Sequence, residues 1–581
     1  MCKNAVSARP ILDEHAAGVP WGYGVRMYTV RMPGKMGGIR IFLPGLLLSA
    51  ALAAQSGLSP SIALDGVVGS ADFSSGTRIG IPRGSLFTIF GWNLAPGEAR
   101  ADQLPLPTVL NHVRVKVWAS AAASGAFAEA PLLYVSPRQI NAVLPSAVSE
   151  GEKAVTVQVD GIESYGSQFK VIRARFAAFT QAGLGFGPAT LQQYDRSGQV
   201  SLNRFLNPAR PGQTMVLWGT GLPAADDASD KVVLHVGGVV VTPVYAGPAP
   251  GQPGLAQINF VLPPGLPERC LLPFLVKTGQ LDGGVLTLTH AATAAVCESE
   301  FGLAQAAMEW LDRGGFVRAG VLNIVSDTGQ EVRQTIEAWL ADYDAARLSV
   351  LATTDLRPGA EGDGGCASRS YSYTRYQRPP ISPSASLYGI PMVAAGLAVR
   401  LTGAAGCTWL LTPSLDGIYR APTIPPCLVS AYSFRGGAGQ ARPFDVTGVL
   451  PEPRSRSAIT QFAVQESGGQ LKANWQIPSW TAADQVYLRA ASSFTLHGSI
   501  FSGLTTVNEL VCRAAPAEGS FLFPPIAKWV LGLPDGGAVS MNLAAVSHRV
   551  IPAGESNPAE KFVDFVLVRI LNGVTAGARP N

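Results

Sequence analysis

The stretch QINAVLP (residues 139–145) occurs again, with one substitution, as QINFVLP (residues 257–263). In both copies the isoleucine, the variable residue and the leucine alternate with Gln, Asn and Val. Such an alternation is expected of a strand with one buried side. The proline that follows ends the strand, because proline has no N–H to donate to a ladder. The repeat therefore predicts the same core strand twice.

A second motif precedes each copy in the same order. PRGSLFTIFGWNLAP (82–96) comes before the first, and RPGQTMVLWGTGLPA (210–224) comes before the second. Each motif is an alternating strand that ends at a glycine, followed two residues later by Asn93 or Gly221. Asn and Gly are the residues that best tolerate a left-handed backbone, which indicates a preserved turn. Each copy spans about a hundred residues, the size of an immunoglobulin-like sandwich.

The polar residues Gln139 and Asn141 of the first copy allow two interpretations. They could bind a ligand, or they could satisfy nearby backbone groups, as buried polar residues usually do. An apolar residue follows each of them, and no acid, histidine or nucleophile lies beside them. The sequence therefore favours the structural role.

Five stretches together resemble a known family: GVVGSADFSSG, IPRGSLFTIFGWNLAP, LLYVSPRQINAVLP, FTQAGLGFGPATLQQYDRSGQVSLNRFLNPARPGQTMVLWGTGLP and GLAQINFVLPPGLP. They are similar to the paired domain of unknown function of secreted acidobacterial (Solibacter-type) proteins, over residues 66–295. GSLFTIFGWNL resembles the opening strand and turn of the IPT/TIG-type immunoglobulin-like fold. The resemblance implies export and a pair of β-sandwiches, and it carries no catalytic residues to transfer. VWASAAASGAFAEAPL is longer than the family's usual loop.

The composition points to the same fold class. Of 581 residues, 47% are hydrophobic and only 14% are charged, with 64 Gly and 44 Pro. Many short strands joined by turns have this composition. We expect a mainly β protein, with tandem immunoglobulin-like β-sandwiches at 66–175 and 176–300, followed by a further β-rich region with at most one or two short helices.

The N-terminal region has the pattern of an export signal. MGGIRIFLPGLLLSAALAAQSG, from Met36, has a basic start, a short apolar run and small residues at Ala51 and Ala53. We interpret residues 1–53 as a signal peptide with an over-long N-terminus, translation starting at Met27, Met32 or Met36. No stretch approaches the roughly 20 apolar residues of a membrane-spanning helix. The sequence predicts a secreted, periplasmic or extracellular protein without a stable membrane span.

Loss of this segment would remove six of 44 basic and two of 40 acidic residues, leaving 38 of each. A neutral chain lacks the basic stripe of a nucleic-acid-binding protein, so no nucleic-acid partner is predicted. Six cysteines would remain, an even number that permits three disulfides in an exported protein. The candidates are Cys270, Cys297, Cys366, Cys407, Cys427 and Cys512. The pairs 270–297 and 407–427 are attractive because each brackets a possible hairpin.

The pattern of apolar residues changes at residue 301, where the second half begins. Val332, Ile336, Trp339, Leu340 and Tyr343 fall on one face of a helix, which predicts a helix at 330–345 within a β-rich domain at 301–450. Short alternating runs follow, and residues 451–581 are expected to form a C-terminal β-sandwich.

Motifs of the common hydrolases, phosphate-binding loops, zinc sites and EF-hands are absent from the sequence, and no two histidines are four residues apart. We therefore predict no metal, no cofactor and no enzymatic activity. Three acidic pairs, 226–227, 298–300 and 342–344, are candidates by composition only, because a glycosidase needs its carboxylates across a cleft. The loop DDASD (226–230) could hold calcium, but it lacks a defined set of ligands.

The most exposed-looking cluster is RSYSYTRYQRPP, with Tyr371, Tyr373, Tyr376 and Arg375. Tyrosine rings on one strand face could stack on sugars while arginine bonds their hydroxyls. An edge strand with aromatic cross-strand pairs is the plainer interpretation. The leading hypothesis is a secreted non-catalytic interaction or structural protein of the cell exterior, with an unknown protein or glycan partner. The alternatives are a carbohydrate-binding protein linked to polysaccharide use and an unrecognised hydrolase.

Overall fold

The protein is described from a computed structural model. The structure describes residues 59–77, 79–183, 185–195, 197–222, 231–279, 281–282, 286–327, 333–352, 366–374, 399–403, 408–413, 418–421, 431–436, 444–449, 461–467, 470–476, 485–495, 504–514, 518–523, 539–552 and 565–578. In this part of the chain strands dominate, and the fold is mainly β, as predicted from composition.

The first sandwich contains eleven strands in two facing sheets. These are β1 (Ser61–Gly69), β2 (Ile81–Pro82), β3 (Leu86–Trp92), β4 (Ala99–Arg100), β5 (Val113–Trp118), β6 (Phe127–Glu129), β7 (Leu132–Val135), β8 (Gln139–Val143), β9 (Gly151–Val159), β10 (Ile162–Glu163) and β11 (Ser167–Ile172). One sheet has the order β1-β3-β8-β7-β4, and the other has the order β2-β11-β9-β5-β6 with β10 beside β9. Apolar side chains from both sheets form one core, in which the rings of Phe87 and Phe169 stack.

The second sandwich repeats this arrangement. Its strands are β12 (Ala177–Ala178), β13 (Gly187–Pro188), β14 (Leu191–Tyr194), β15 (Val200–Leu202), β16 (Thr214–Thr220), β17 (Val232–Val236), β18 (Val239–Val241), β19 (Tyr245–Pro248), β20 (Ala256–Val261), β21 (Arg269–Thr278), β22 (Leu281–Asp282) and β23 (Leu286–His290). The sheets run β15-β14-β16-β20-β19 and β13-β23-β21-β17-β18. The order β14-β16-β20-β19 corresponds to β1-β3-β8-β7.

The two QIN strands occupy equivalent places. Phe87 lies opposite Ala142 in the first sandwich, and Met215 lies opposite Phe260 in the second. Phe260 occupies the position of Ala142, and Met215 occupies the position of Phe87. Each pair therefore combines an aromatic ring with a smaller side chain. Burial of all four side chains is complete. The duplication inferred from the sequence is thus visible as matched pairing of core residues.

The preserved glycines make the same turns. Gly84 and Gly212 both have a positive φ, and each donates its N–H to the last leucine of the QIN motif, Leu144 or Leu262, at 2.8 Å. The turn after the strand also repeats, with φ of 54° at Asn93 and 94° at Gly221. The left-handed turn predicted from the sequence is confirmed.

The two sandwiches are joined through a polar junction. Thr220 accepts a hydrogen bond from the Leu86 N–H at 2.8 Å and donates to the Gly254 carbonyl at 2.6 Å. Arg175 forms a buried ion pair with Asp72 at 2.7 Å. Because a buried charge without its partner is costly, this pair holds the connecting segment against the first sandwich.

Beyond the sandwiches lie two helices, α1 (Gln305–Asp312) and α2 (Ala345–Val350), and strands of a large sheet. Its strands are β24 (Val317–Asp327), β25 (Arg333–Tyr343), β26 (Cys366–Thr374), β27 (Val399–Gly403), β28 (Thr408–Pro413), β29 (Tyr419–Arg420), β30 (Ala431–Gly436), β31 (Phe444–Val449), β34 (Gln485–Thr495), β35 (Leu504–Ala514), β37 (Val539–Pro552) and β38 (Phe565–Ala578). The described strands run in the order β26-β35-β34-β37-β38-β24-β25-β29-β28-β27-β30-β31. A smaller sheet contains β32 (Gln461–Ser467), β33 (Gln470–Gln476) and β36 (Ser520–Leu522).

Two expectations for this half were wrong. The helix predicted at 330–345 is strand β25, which pairs along its whole length with β24. Its residues from Ile336 to Ala341 are all buried, so apolar residues occupy both faces and imitate a helical spacing. The boundary expected at 450/451 also does not separate two sheets, because β24 lies directly between β38 and β25. Long-range pairing of this kind leaves no local mark in the sequence.

Helices α1 and α2 fill the space between the second sandwich and the large sheet. Ala307, Met308 and Leu311 of α1 pack with Trp339 of β25 in a single buried cluster. Asp344 caps α2 by accepting the Arg347 N–H at 2.8 Å. In the described part of the chain, no helix is both long and apolar enough to cross a membrane.

Candidate functional site

The tyrosine cluster predicted from the sequence is only partly described. Tyr371 and Tyr373 belong to β26 and lie opposite Val507 and Thr505 of β35 in the backbone register. Strand β26 ends the described order of the large sheet. Tyr376 and Arg375 lie outside the described residues.

The cysteines give one disulfide with both partners described. Cys270 and Cys297 are bonded, as their spacing had suggested. Cys512 is also disulfide-bonded, and the residue opposite it in the backbone register is Cys366. Cys407 and Cys427 lie outside the described residues.

The acidic residues singled out by composition have structural partners. Asp342 binds Arg318 through two hydrogen bonds of 2.7 and 2.9 Å, and Glu300 accepts the Leu271 N–H at 3.1 Å. His290 contacts the Pro267 carbonyl through Nδ1 at 2.9 Å. Asp226 and Asp227 lie outside the described residues. Among the described residues no three His, Cys, Asp or Glu side chains converge as metal ligands would.

A different surface has the features of a binding site. It is the outward side of the sheet that contains the first QIN strand, and we call it the QIN face. Because Phe87, Ile89 and Ile140 point into the core, the alternate residues of the same strands point outward. The QIN face consists of Thr88, Phe90, Trp92, Arg100, Tyr134, Arg138, Gln139 and Asn141.

Strand register arranges these residues in rows. Thr88, Asn141, Tyr134 and Arg100 lie opposite one another across four neighbouring strands, which span about 14 Å. Phe90 lies opposite Gln139 in the next row. An irregularity in register between Leu132 and Tyr134 turns Tyr134 outward beside Asn141, a use typical of β-bulges.

A chain of hydrogen bonds fixes the amide side chains of the QIN face. The Gln139 Nε2 donates to Asn141 Oδ1 at 2.9 Å, and Thr88 Oγ1 donates to the same oxygen at 3.1 Å. Ser70 then donates to Thr88 at 2.9 Å, because the single Thr88 proton is already used. The sequence had predicted that these amides satisfy backbone groups, and the structure shows that they bind each other.

This chain leaves hydrogen-bonding capacity unused. Gln139 Oε1 and Asn141 Nδ2 have no partner among the described residues, and neither has the Tyr134 hydroxyl. An acceptor and two donors are therefore held in fixed positions beside the rings. Groups of this kind, placed before a ligand arrives, reduce the entropy that binding costs.

Two arginines lie on aromatic rings at the margins of the QIN face. The Arg138 guanidinium is 5.7 Å from the centre of the Trp92 ring, and the Arg100 guanidinium is 5.5 Å from that of Tyr134. Both arginines are exposed, and Trp92 is 49% exposed. Neither guanidinium forms an ion pair or hydrogen bond within the described chain.

The sequence analysis considered a ligand-binding role for Gln139 and Asn141 but missed the other residues of this surface, although a signal was present. Within the repeated motifs, the residues that differ between copies are informative: Trp92 is replaced by Thr220, and Arg138 by Ala256. A change to Trp or Arg beside otherwise preserved residues marks the copy that has gained an exposed contact. Tyr134 and Arg100 join this surface only through the order of the strands in the sheet, which the sequence does not show.

The opposite sheet of the first sandwich carries another aromatic cluster, whose polar groups bind one another. Lys116 lies over Phe127 and binds Glu163 at 2.9 Å, and Trp118 donates to Thr156 at 2.9 Å. Burial opposes ionisation of Glu163, but hydrogen bonds from Thr156 and Lys116 and the Lys116 charge outweigh it and lower the pKa of the carboxyl. A self-satisfied cluster of this kind offers less to a ligand than the QIN face.

A groove of about 580 Å³ lies at the junction of the sandwiches. Its walls are mostly apolar, with contributions from Leu104, Pro105, Leu222 and the loop 248–255. It lies at the Leu86 end of β3, whereas Trp92 lies at the other end of that strand. The groove and the QIN face are therefore separate features.

Comparison with known proteins gives only distant structural matches. No protein-family model and no curated protein matches the chain. A tetra-tandem repeat from the extending region of a large adhesion protein is similar at 12% identity and a TM-score of 0.12, covering 90% of this chain and all of that one. The FN1–FN3 domains of chicken CNTN1 match at 9% identity and a TM-score of 0.14, covering 68% and 99%.

A Bacteroides ovatus protein of the mixed-linkage glucan utilization locus, SGBP-B, solved with a mixed-linkage heptasaccharide, matches at 10% identity and a TM-score of 0.18. The alignment covers 59% of this chain and 72% of that one. We base the functional argument on the residues of this chain alone.

Proposed function

We propose that the protein is a secreted, non-catalytic, multidomain binding protein of the cell exterior, and that the QIN face of its first sandwich holds a carbohydrate. The observation that carries this proposal is the pair of unused amide groups, Gln139 Oε1 and Asn141 Nδ2, beside the exposed ring of Trp92. A sugar hydroxyl both donates and accepts hydrogen bonds, so it can pair with the Gln139 oxygen and with the Asn141 N–H groups. The aromatic rings supply apolar surface for the C–H faces of the sugar.

The residues of the QIN face support binding rather than bond cleavage. No Asp, Glu, His or Cys is among the residues that compose it. Trp92, Arg100 and Arg138 of this face are exposed, so a reacting group placed beside them would stay in contact with water. The others are partly buried, apart from Thr88, which is buried. Glycosidic cleavage needs two carboxylates across a cleft, which this face does not supply.

Export is supported by the described disulfide between Cys270 and Cys297, because disulfides persist mainly in oxidising compartments. The N-terminal signal pattern agrees with it. Purely structural or protein-binding roles are the main rival, since exposed Trp, Tyr and Arg also mark protein interfaces.

The test is binding of the full chain, without its signal segment, to a glycan array and to insoluble polysaccharides in pull-down assays. The double variant Trp92→Ala/Tyr134→Ala removes two rings of the QIN face. We expect its affinity to fall about tenfold or more, since two central aromatic contacts each contribute at least about 1 kcal/mol. Tyr165→Ala is the matched control, because Tyr165 is 97% exposed and lies outside the QIN face.

Circular dichroism of each variant will show whether the fold is intact. Retained glycan binding by the double variant would exclude the QIN face as the site. Failure of the unaltered chain to bind any glycan would reject the carbohydrate proposal and favour a protein partner.

A further inference from the structure

We propose that the ligand of the QIN face is an anionic polysaccharide of the uronic-acid class, whose carboxylates are bound by Arg100 and Arg138. This inference rests on the proposed function and adds the charge of the ligand to it. The observation behind it is the pair of exposed guanidinium groups that have no acidic partner in the described chain.

Several other arginines of the described chain pair with carboxylates, while Arg204 and Arg210 donate to backbone carbonyls. Arg114 pairs with Glu129, Arg175 with Asp72, Arg318 with Asp342, Arg347 with Asp344 and Arg420 with Glu337. Glu98 and Asp102 flank β4, and neither forms an ion pair with Arg100 or Arg138. The guanidinium groups of Arg100 and Arg138 are therefore not occupied by a direct ion pair and are available to a ligand carboxylate.

The rings beneath the arginines orient them. Cation–π contact with Trp92 and Tyr134 restrains each guanidinium, while its N–H groups have no partner in the described chain. Those N–H groups are where a carboxylate binds with two parallel hydrogen bonds. Stacked arginines thus act as preformed carboxylate receptors rather than as mobile surface charges.

Placement of the two arginines suits a polymer. Arg100 lies on the edge strand β4, and Arg138 precedes the QIN strand, beside Trp92 on β3. The side-chain amides of Gln139 and Asn141 and the Tyr134 hydroxyl lie between the two arginines. A chain with a carboxylate on successive sugars can therefore reach both arginines while its hydroxyls bind the amides. The second sandwich has Ala256 in place of Arg138, so the charge is a property of the first copy.

The experiment compares polygalacturonate with the same polymer after its carboxyls have been reduced to neutral galactose units. Binding of the full chain is measured by isothermal titration at about 0.15 M salt, where exposed charges further apart than roughly 8 Å are screened. We expect polygalacturonate to bind at least about tenfold more tightly than the reduced polymer.

The double variant Arg100→Gln/Arg138→Gln is expected to lose this preference while it keeps the affinity for the reduced polymer. Arg313→Gln is the control, because Arg313 is an exposed arginine of the α1 end, far from the QIN face in the chain. It is expected to retain the full preference. Trp92→Ala should weaken binding of both polymers.

Different failures have different meanings. Equal affinity of the unaltered chain for both polymers overturns this inference and leaves the proposed function standing. Binding of neither polymer, with no glycan bound on the array, overturns both. A preference that survives in the arginine double variant overturns the assignment of the arginines. Equally tight, arginine-dependent binding of polyglutamate would identify an acidic protein as the ligand and also overturn the inference.

Discussion

The first and second sandwiches share the same strands, turns and Gln–Asn pair. They differ in how far the outward face of the QIN strand is covered by other residues. In the second sandwich, Gln257 donates to Asn259 at 2.7 Å, as Gln139 does to Asn141. There, however, Trp218 and Val216 pack against Ala249 and Leu255, and Trp218 is only 8% exposed. The loop that follows β19 thus covers Val216 and Trp218, whereas in the first sandwich Phe90 is only partly buried and Trp92 is exposed.

The polar tips of the aromatic residues differ in the same way. Tyr245, the counterpart of Tyr134, donates its hydroxyl to the Pro248 carbonyl, and Trp218 donates to Gln192 at 3.0 Å. Burial raises the pKa of the Tyr245 phenol. Thr220, the counterpart of the exposed Trp92, is 3% exposed and joins the two sandwiches. One framework therefore joins the two sandwiches in the second copy and, in our proposal, binds a ligand in the first.

The largest expected difference between the copies concerns their tryptophans. Trp218→Ala removes a buried ring from the cover of the second sandwich and leaves a cavity, so we expect it to lower the free energy of unfolding by about 3–5 kcal/mol. Trp92→Ala removes an exposed ring and its contact with Arg138, a loss of at most about 1 kcal/mol. Urea denaturation followed by circular dichroism measures both. Equal losses would mean that the first face is also covered.

A smaller effect is expected at the junction. Thr220→Val keeps the shape of the side chain but removes the acceptor of the Leu86 N–H and the donor to Gly254. An unsatisfied buried donor costs about 1–3 kcal/mol, and we expect a loss of that size in the free energy of unfolding. Thr88→Val is the comparison in the first copy, because it removes side-chain hydrogen bonds with Ser70 and Asn141 but takes no partner from a backbone N–H. If Thr220→Val leaves the free energy of unfolding unchanged, packing alone holds the sandwiches together.

The features that the sequence predicted are those that depend on local backbone chemistry. Alternation placed Ile140 and Phe260 in the core, and the Asn93/Gly221 position required a left-handed turn. Strand β25 was mistaken for a helix because both of its faces are buried, which removes the period of two. Glu337 and Asp342 of this strand each pair with an arginine on another strand, Arg420 or Arg318.

The QIN face could not be predicted for a different reason. Arg100, Tyr134 and Asn141 belong to three strands that become neighbours only through the order β8-β7-β4. Their unused hydrogen-bonding groups are also invisible in a sequence, because satisfaction of a polar group depends on what the fold brings to it. What the sequence did contain was the difference between the two copies at Trp92 and Arg138.

The smallest and most discriminating effect separates the two equivalent tyrosines. Tyr245→Phe removes a hydroxyl that is bonded to the Pro248 carbonyl, so we expect the free energy of unfolding to fall by about 0.5–1.5 kcal/mol. Tyr134→Phe removes a hydroxyl without a partner in the described chain, so stability should change by less than about 0.5 kcal/mol. The ligand affinity should respond in the opposite sense, falling for Tyr134→Phe and staying constant for Tyr245→Phe. Both quantities can be measured on the same preparations by denaturation and by titration with polygalacturonate. Loss of stability without loss of affinity in Tyr134→Phe would assign this hydroxyl to the fold and remove it from the recognition surface.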